Sequence, residues 1–184
     1  MELNVPRGGK RHPVNSAERV AVLELMVLVA QCAAVFFLAA WLSTGFVENV
    51  LHPDLNETFT AQVLSMERMR EEYPEAYKVV AHRSIENPAM QKFLFRLIVC
   101  WEGLATLTLW VGVASLILAI IGVIDPANAR AIGVLGVLMF TTTWAGFLIV
   151  GNWFCYWFCH EGAQNTHYQM TLWGLATIIL LIVF

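Results

Sequence analysis

Four stretches of this sequence run for the thickness of a lipid bilayer with almost no charge in them, over residues 20–46, 93–124, 131–158 and 168–184. A hydrocarbon core of about 30 Å takes roughly 20 apolar residues in a helix. Inside that solvent every backbone amide must be satisfied within the segment or its neighbours, which helices achieve and open strands do not. Glu24 is the one charge in the first stretch, Arg96 and Glu102 the two in the second, and the third has none. The last stretch sits at the short end of the allowed range. Charged residues make up 14% of the chain, where a soluble domain carries about a quarter, and mean hydropathy is +0.63. These features exclude a soluble enzyme domain, a nucleic-acid binder and a disordered chain. The expectation is all-α: an integral membrane four-helix bundle, one domain over residues 1–184, with lipid as its surroundings.

Helix punctuation agrees with four spans. Ser16 stands where an N-cap belongs before the first. Asn87 followed by Pro88 reads as a cap with proline at the first helical position, so the second helix starts before it enters lipid. Asp125-Pro126-Ala127-Asn128 is too short for anything but an antiparallel hairpin, and residues 159–167 read as a second such turn. Trp41, Trp153, Trp157 and Tyr168 fall near span ends, as an aromatic belt does. An even number of spans places both termini on one side. The basic residues Arg7, Lys10, Arg11, Arg19 and Arg130 are nearly balanced by Arg68, Arg70, Lys78, Arg83, Lys92 and Arg96. Long loops weigh less in the positive-inside rule, which tips the expectation to cytoplasmic or matrix-side termini. The first apolar stretch is too long for a cleavable signal peptide.

Residues 47–91 form the one sizeable extramembrane segment. From Thr58 to Tyr73 the spacing is helical, with Phe59, Val63, Met66 and Met69 on one face and charges elsewhere. Pro74 is expected to end that helix, with another turn or two over 75–82. An amphipathic helix tied between two spans lies on the membrane or caps the bundle. Met66, Met69 and Tyr73 are then the candidates for docking a partner.

Two places invite chemistry. Glu102 follows Trp101 inside an otherwise apolar helix, and a carboxylate in lipid costs about 2.5–3.5 kcal/mol at the bilayer centre, so it needs a partner or a polar cavity. About 9 Å of helix separates it from Arg96, which puts it near one end of the span. It reads either as a proton carrier, metal ligand or part of a quinone pocket, or as a structural carboxylate bonded to a neighbouring helix or to Trp or Asn side chains. At the end of span three, Cys155 and Cys159 are spaced to share a helical face, and His160 and His167 follow. Cys and His suit zinc, copper or a haem iron, and His52 and His82 come from the same side. Against that, the spacing matches no metal motif, C-x-x-x-C-H differs from the C-x-x-C-H of covalent haem attachment, and cysteine packs readily as a small apolar residue. Cys32, Cys100, Cys155 and Cys159 read as buried thiols rather than a disulfide framework. Gly103, Gly112, Gly133, Gly136, Gly146 and Gly151 permit close helix approach. There is no phosphate loop, nucleophile elbow or H-E-x-x-H, and no broken-helix signal of a transport pathway.

Several strings together resemble a known family: "ENV" at 48–50, "VLSMERM" at 63–69, "RSIENPA" at 83–89, "IVCWEGL" at 98–104 and "GFLIVGNWFCYW" at 146–157. They are similar to the bacterial family of predicted small integral membrane proteins, a four-helix domain of unknown function, over residues 20–184. "FCHEGAQNTH" departs from that family's pattern. The resemblance implies four spans and an inner, energy-transducing membrane, bacterial or mitochondrial, and no catalytic residue. The leading expectation is a non-catalytic accessory subunit of a larger membrane complex, respiratory or photosynthetic, surrounded by lipid and other integral membrane subunits. No cofactor is expected beyond a bound lipid or quinone. The alternatives are a metal- or haem-binding redox protein using Cys155, Cys159, His160 and His167, and a small proton or solute transporter using Glu102.

Overall fold

The computed structural model describes residues 16–183, and Arg7, Lys10, Arg11 and Phe184 lie outside them. Among the described residues the chain is helical, with no strand: α1 Ser16–Leu51, α2 Pro53–Leu64, α3 Glu67–Glu72, α4 Pro74–Val80, a 3-10 turn Ala81–Arg83, α5 Pro88–Ile120, α6 Pro126–Trp153, α7 Tyr156–Cys159 and α8 Glu161–Val183. Four of these, α1, α5, α6 and α8, are long and apolar enough to cross a membrane.

The caps explain the boundaries. Asn87 Oδ1 accepts from the amides of Ala89 and Met90 at 2.9 and 3.3 Å. Asp125 Oδ1 does the same for Ala127 and Asn128 at 2.9 and 3.2 Å, and a proline follows each cap. Between them α5 closes on Gly122, whose φ of +75° lets the Gly122 and Val123 amides reach back to the carbonyls of Ala119 and Leu118. This is the six-to-one and five-to-two pairing that a left-handed glycine makes cheap.

α5 and α6 form the centre of the bundle, with α1 packed mainly on α5 and α8 mainly on α6. Leu38, Leu42, Leu109, Leu116, Val137 and Phe140 are fully buried between them. The two central helices approach closely through glycine: a Cβ on Gly136 would lie 2.9 Å from Leu109 Cα, and one on Gly112 would lie 3.1 Å from Gly133 Cα. At one end, fully buried Gln31 ties α1 to the others. It donates from Nε2 to the Leu180 carbonyl at 2.9 Å and accepts from Arg130 Nε at 2.9 Å. Arg130 in turn reaches Glu24 at 2.6 Å.

The other end is closed by residues 53–85. Two sequence expectations change here, while the helix end at Pro74 and the further turns over 75–82 hold to within a residue or two. The helix expected over 58–73 starts earlier, at Pro53, and breaks at Met66, which has a φ of +53°. Pro74 opens α4 as its first residue, after α3 has already ended at Glu72. The turn expected over 159–167 shrinks to His160, because α8 begins at Glu161 and so gains length at its start. Both breaks have a packing reason. Met66 and Cys155, each in the left-handed region, turn their chains so that Leu64, Met66, Met69, Phe154 and Cys155 bury one another in a second apolar cluster. The cap is also pinned by polar contacts. The Ile85 amide donates to the Leu64 carbonyl at 2.8 Å, Arg68 Nη1 donates to the Cys159 carbonyl, and the Arg83 guanidinium stacks 4.8 Å over the Trp153 ring.

Candidate functional site

Beneath the cap lies a half-open cavity of about 620 Å³, lined from α1, α2, α5, α6, α8 and the α6–α7 junction. Its wall is largely aromatic. Trp41 and Trp144 meet edge to face at 5.1 Å, Trp144 and Phe147 at 5.7 Å, and Phe95 and Phe154 complete the apolar lining. The size and the mostly apolar lining with a few convergent polar groups are those of small-molecule sites in general.

Glu102 supplies the first of those polar groups. It is 5% exposed and accepts at Oε2 from Asn49 Nδ2 at 2.8 Å. Asn49 Oδ1 in turn accepts from Asn56 Nδ2 at 2.6 Å. One chain of hydrogen bonds therefore joins α5 to α1 and α1 to the cap. A buried carboxyl left without a donor costs about 1–3 kcal/mol or more, so Asn49 keeps Glu102 tolerable and holds the cap helix in register over the cavity. About 27 Å of helix, at 1.5 Å per residue, separates Glu102 from the end of α5 at Ile120. That is close to a full hydrocarbon thickness, and Glu102 falls in the cap-side half of the apolar stretch 93–124. Trp101 points elsewhere, donating from Nε1 to Thr143 Oγ1 at 3.0 Å.

The Cys and His residues at the end of span three divide into two groups, Cys155 and Cys159 at the second apolar cluster and His160 and His167 on either side of Tyr156. Cys155 is the left-handed residue before α7 and Cys159 is that helix's last, so the two do not ride a continuous α6 face as the spacing predicts. Cys155 sits in the second apolar cluster, 3.9 Å from Arg83 Nη1. Burial raises the Cys159 thiol above its ordinary value, with Glu72 adding to the rise and Arg68 opposing it. His160 packs edge-on against Phe59 at 5.2 Å. Burial, followed by the nearby Arg68, holds it below the usual histidine value, with Glu72 opposing. Tyr156 lies between His160 and His167, its ring 5.6 Å from each, and its hydroxyl is 3.3 Å from His167 Nδ1. Burial pushes the Tyr156 phenol up to about 12. His52 precedes α2 and His82 lies in the 3-10 turn, both exposed. Among the described residues no group of three or more His, Cys, Asp or Glu is placed to hold a metal.

Of the cap's docking candidates, Met66 and Met69 are 3% and 5% exposed and anchor the cap from inside. Tyr73 stays on the surface, edge-on to Phe158 at 4.6 Å. Asn49, Asn56, Trp41, Trp144 and Tyr156 are site residues that sequence reasoning did not select. The signal for Asn49 was present: an amide in the last turns of an apolar span is a natural partner for a lone carboxyl in the next.

An all-helical bundle of four apolar spans, closed at one end by a helical cap over a half-open cavity, defines a small polytopic membrane protein whose outer surface meets lipid. The chain belongs to the family described as predicted small integral membrane protein (DUF2165), whose model matches residues 10–183. No curated protein and no solved structure matches it.

Proposed function

We propose that this protein is a non-catalytic subunit of a larger membrane complex, acting by association with other integral membrane proteins in an energy-transducing membrane, respiratory or photosynthetic. The observation that carries the reading is the start of α1. Every side chain from Arg19 to Met26 is exposed, including Val20 at 68%, Leu23 at 65% and Met26 at 59%. These positions go right round the helix, so for two turns it lacks the buried stripe that a bundle helix normally has. The most apolar windows of the two outer helices, α1 and α8, are each 17% buried, against 44% in α5 and 39% in α6. A subunit that lends one helix to a neighbour needs such a length of apolar helix, and the cap supplies an extramembrane face at the opposite end of the bundle. In this reading α1 docks along a helix of the partner, and the termini lie on the cytoplasmic or matrix side.

Extraction in a mild detergent followed by affinity purification of the full chain tests this. The expected result is one or more membrane proteins retained at fixed stoichiometry, and lost when Leu23 and Met26 are both replaced by Ala. A monodisperse, partner-free monomer from native membranes overturns it.

A further inference from the structure

We propose that the cavity under the cap is a binding site for a neutral, membrane-soluble amphiphile whose head carries a hydroxyl group, seated with that hydroxyl at Glu102. The inference goes beyond the subunit reading and does not depend on it.

The chemistry of the walls selects the ligand. No Lys or Arg lines the cavity, while Glu48 and Glu102 do, beside the neutral donors of Asn56, Thr60 and Tyr156 and the imidazole of His167, so a phosphate or carboxylate head would face two carboxyls and no fixed cation. That excludes ordinary phospholipids, zwitterionic ones included, because their phosphate would have no cation to face. Glu102 has one oxygen taken by Asn49 Nδ2. Its remaining capacity is that of an acceptor when ionised and of a donor plus acceptor when protonated. A hydroxyl complements a carboxyl in both states, and a carbonyl or ether complements only one.

Position and volume set the rest. Phe95 is seven residues nearer the cap than Glu102 on α5, so Glu102 forms the cavity floor, and a hydroxyl held there lets an apolar body lie against Trp144, Phe147 and Phe95 on the cap side of it. A space of about 620 Å³ is in the range that takes a drug-sized ligand, enough for a ring and a stretch of acyl chain, and the half-open mouth lets the remainder of a tail pass out. Two membrane sources share this chemistry, an alkylated hydroquinone and a hydroxyl-bearing glyceride, and the test separates them.

The full-length protein in nanodiscs is titrated with decylhydroquinone, with dioctanoylglycerol, and with the O-methylated form of each, following tryptophan fluorescence. We expect saturable binding of at least one hydroxyl probe, about tenfold or more tighter than its methyl ether, a factor that one well-placed hydrogen bond supplies. The probe that saturates identifies the source, and saturation by both leaves the class as stated. Gly45 lines the cavity and a Cβ built on it meets nothing within 4 Å, so Gly45→Leu fills the space without breaking a polar contact and should abolish binding. Glu102→Leu, which offers neither donor nor acceptor, should weaken it about tenfold. The methyl-ether comparison needs no variant, so it stands whether or not either variant folds. Absence of saturation by both hydroxyl probes, equal binding of the ethers, unchanged binding in folded Gly45→Leu, or tighter binding of decyltrimethylammonium would each overturn the proposal.

Discussion

The glycines of α6 offer a test in which the same substitution acts in opposite directions ten residues apart. A Cβ on Gly146 meets nothing within 4 Å, whereas one on Gly136 would stand 2.9 Å from Leu109 Cα, 3.0 Å from Leu109 N and 3.1 Å from Thr108 C. Those atoms are α5 backbone, so no flexible side chain can swing aside and the two central helices must separate. Replacing helical glycine by alanine contributes about 0.8–1.0 kcal/mol through reduced backbone freedom. Forcing one methyl into a closed contact costs about 1–3 kcal/mol. The first effect is common to both variants and cancels when they are compared, which leaves the steric cost alone. Gly146→Ala should therefore equal or exceed the natural protein in stability, and Gly136→Ala should fall about 1–3 kcal/mol below Gly146→Ala. Reversible unfolding in mixed micelles of rising sodium dodecyl sulfate fraction, followed by circular dichroism at 222 nm, measures the difference. If Gly136→Ala lies within about 0.5 kcal/mol of Gly146→Ala, the close α5–α6 contact is refuted.

Three further outcomes follow from named contacts. Gln31→Leu removes the bond to the Leu180 carbonyl and the one from Arg130; at about 0.6 kcal/mol per hydrogen bond in a membrane protein, the same unfolding assay should show a loss of about 1 kcal/mol, and no loss would contradict the placement of α1 against α8. Arg83→Met takes away the donor to the Trp153 carbonyl and the cation over its ring, so hydrogen exchange should quicken in residues 53–85 while α5 and α6 keep their protection. His160 is held below its ordinary 6.5 by burial first and Arg68 second, so an unfolded cap binds the proton more readily than a folded one. Cap stability is then full above about pH 6.5 and declines as pH falls through the window below it, which exchange in 53–85 at pH 7 and pH 5 should register and His160→Phe should remove.

Much of the architecture was legible because lipid imposes a simple demand on composition. Four charge-poor stretches, the Asn87-Pro88 and Asp125-Pro126 caps and the short hairpin between α5 and α6 all depend on local chemistry alone. The two chain breaks were not legible, because Met66 and Cys155 adopt a left-handed conformation without glycine, proline or asparagine to announce it. Burial in a cluster drawn from both sides of the sequence stabilises that conformation, and only tertiary packing reveals the cluster. One of those breaks takes Cys155 and Cys159 off α6, so the continuous span-three face argued from the i, i+4 spacing is absent although both meet the second apolar cluster. At the site, Glu102 stood out as a charge in the wrong solvent. Its partner Asn49 is 53 positions away in sequence, and the aromatic wall is assembled from residues that each look like ordinary lipid-facing or core side chains.

The central claim is that Glu102 and its cavity sit in the cap-side half of the hydrocarbon, with the span running on from there to Ile120. Nitroxides placed one at a time at the exposed α5 positions Leu97, Leu104, Leu107, Val111 and Leu118, in the protein reconstituted into bilayers, give depth from the ratio of oxygen to nickel-chelate collision rates. The account predicts a maximum ratio near Val111, a steep fall toward Leu104 and an aqueous reading at Leu97. A maximum centred on Leu104, or a flat profile along the helix, would contradict it.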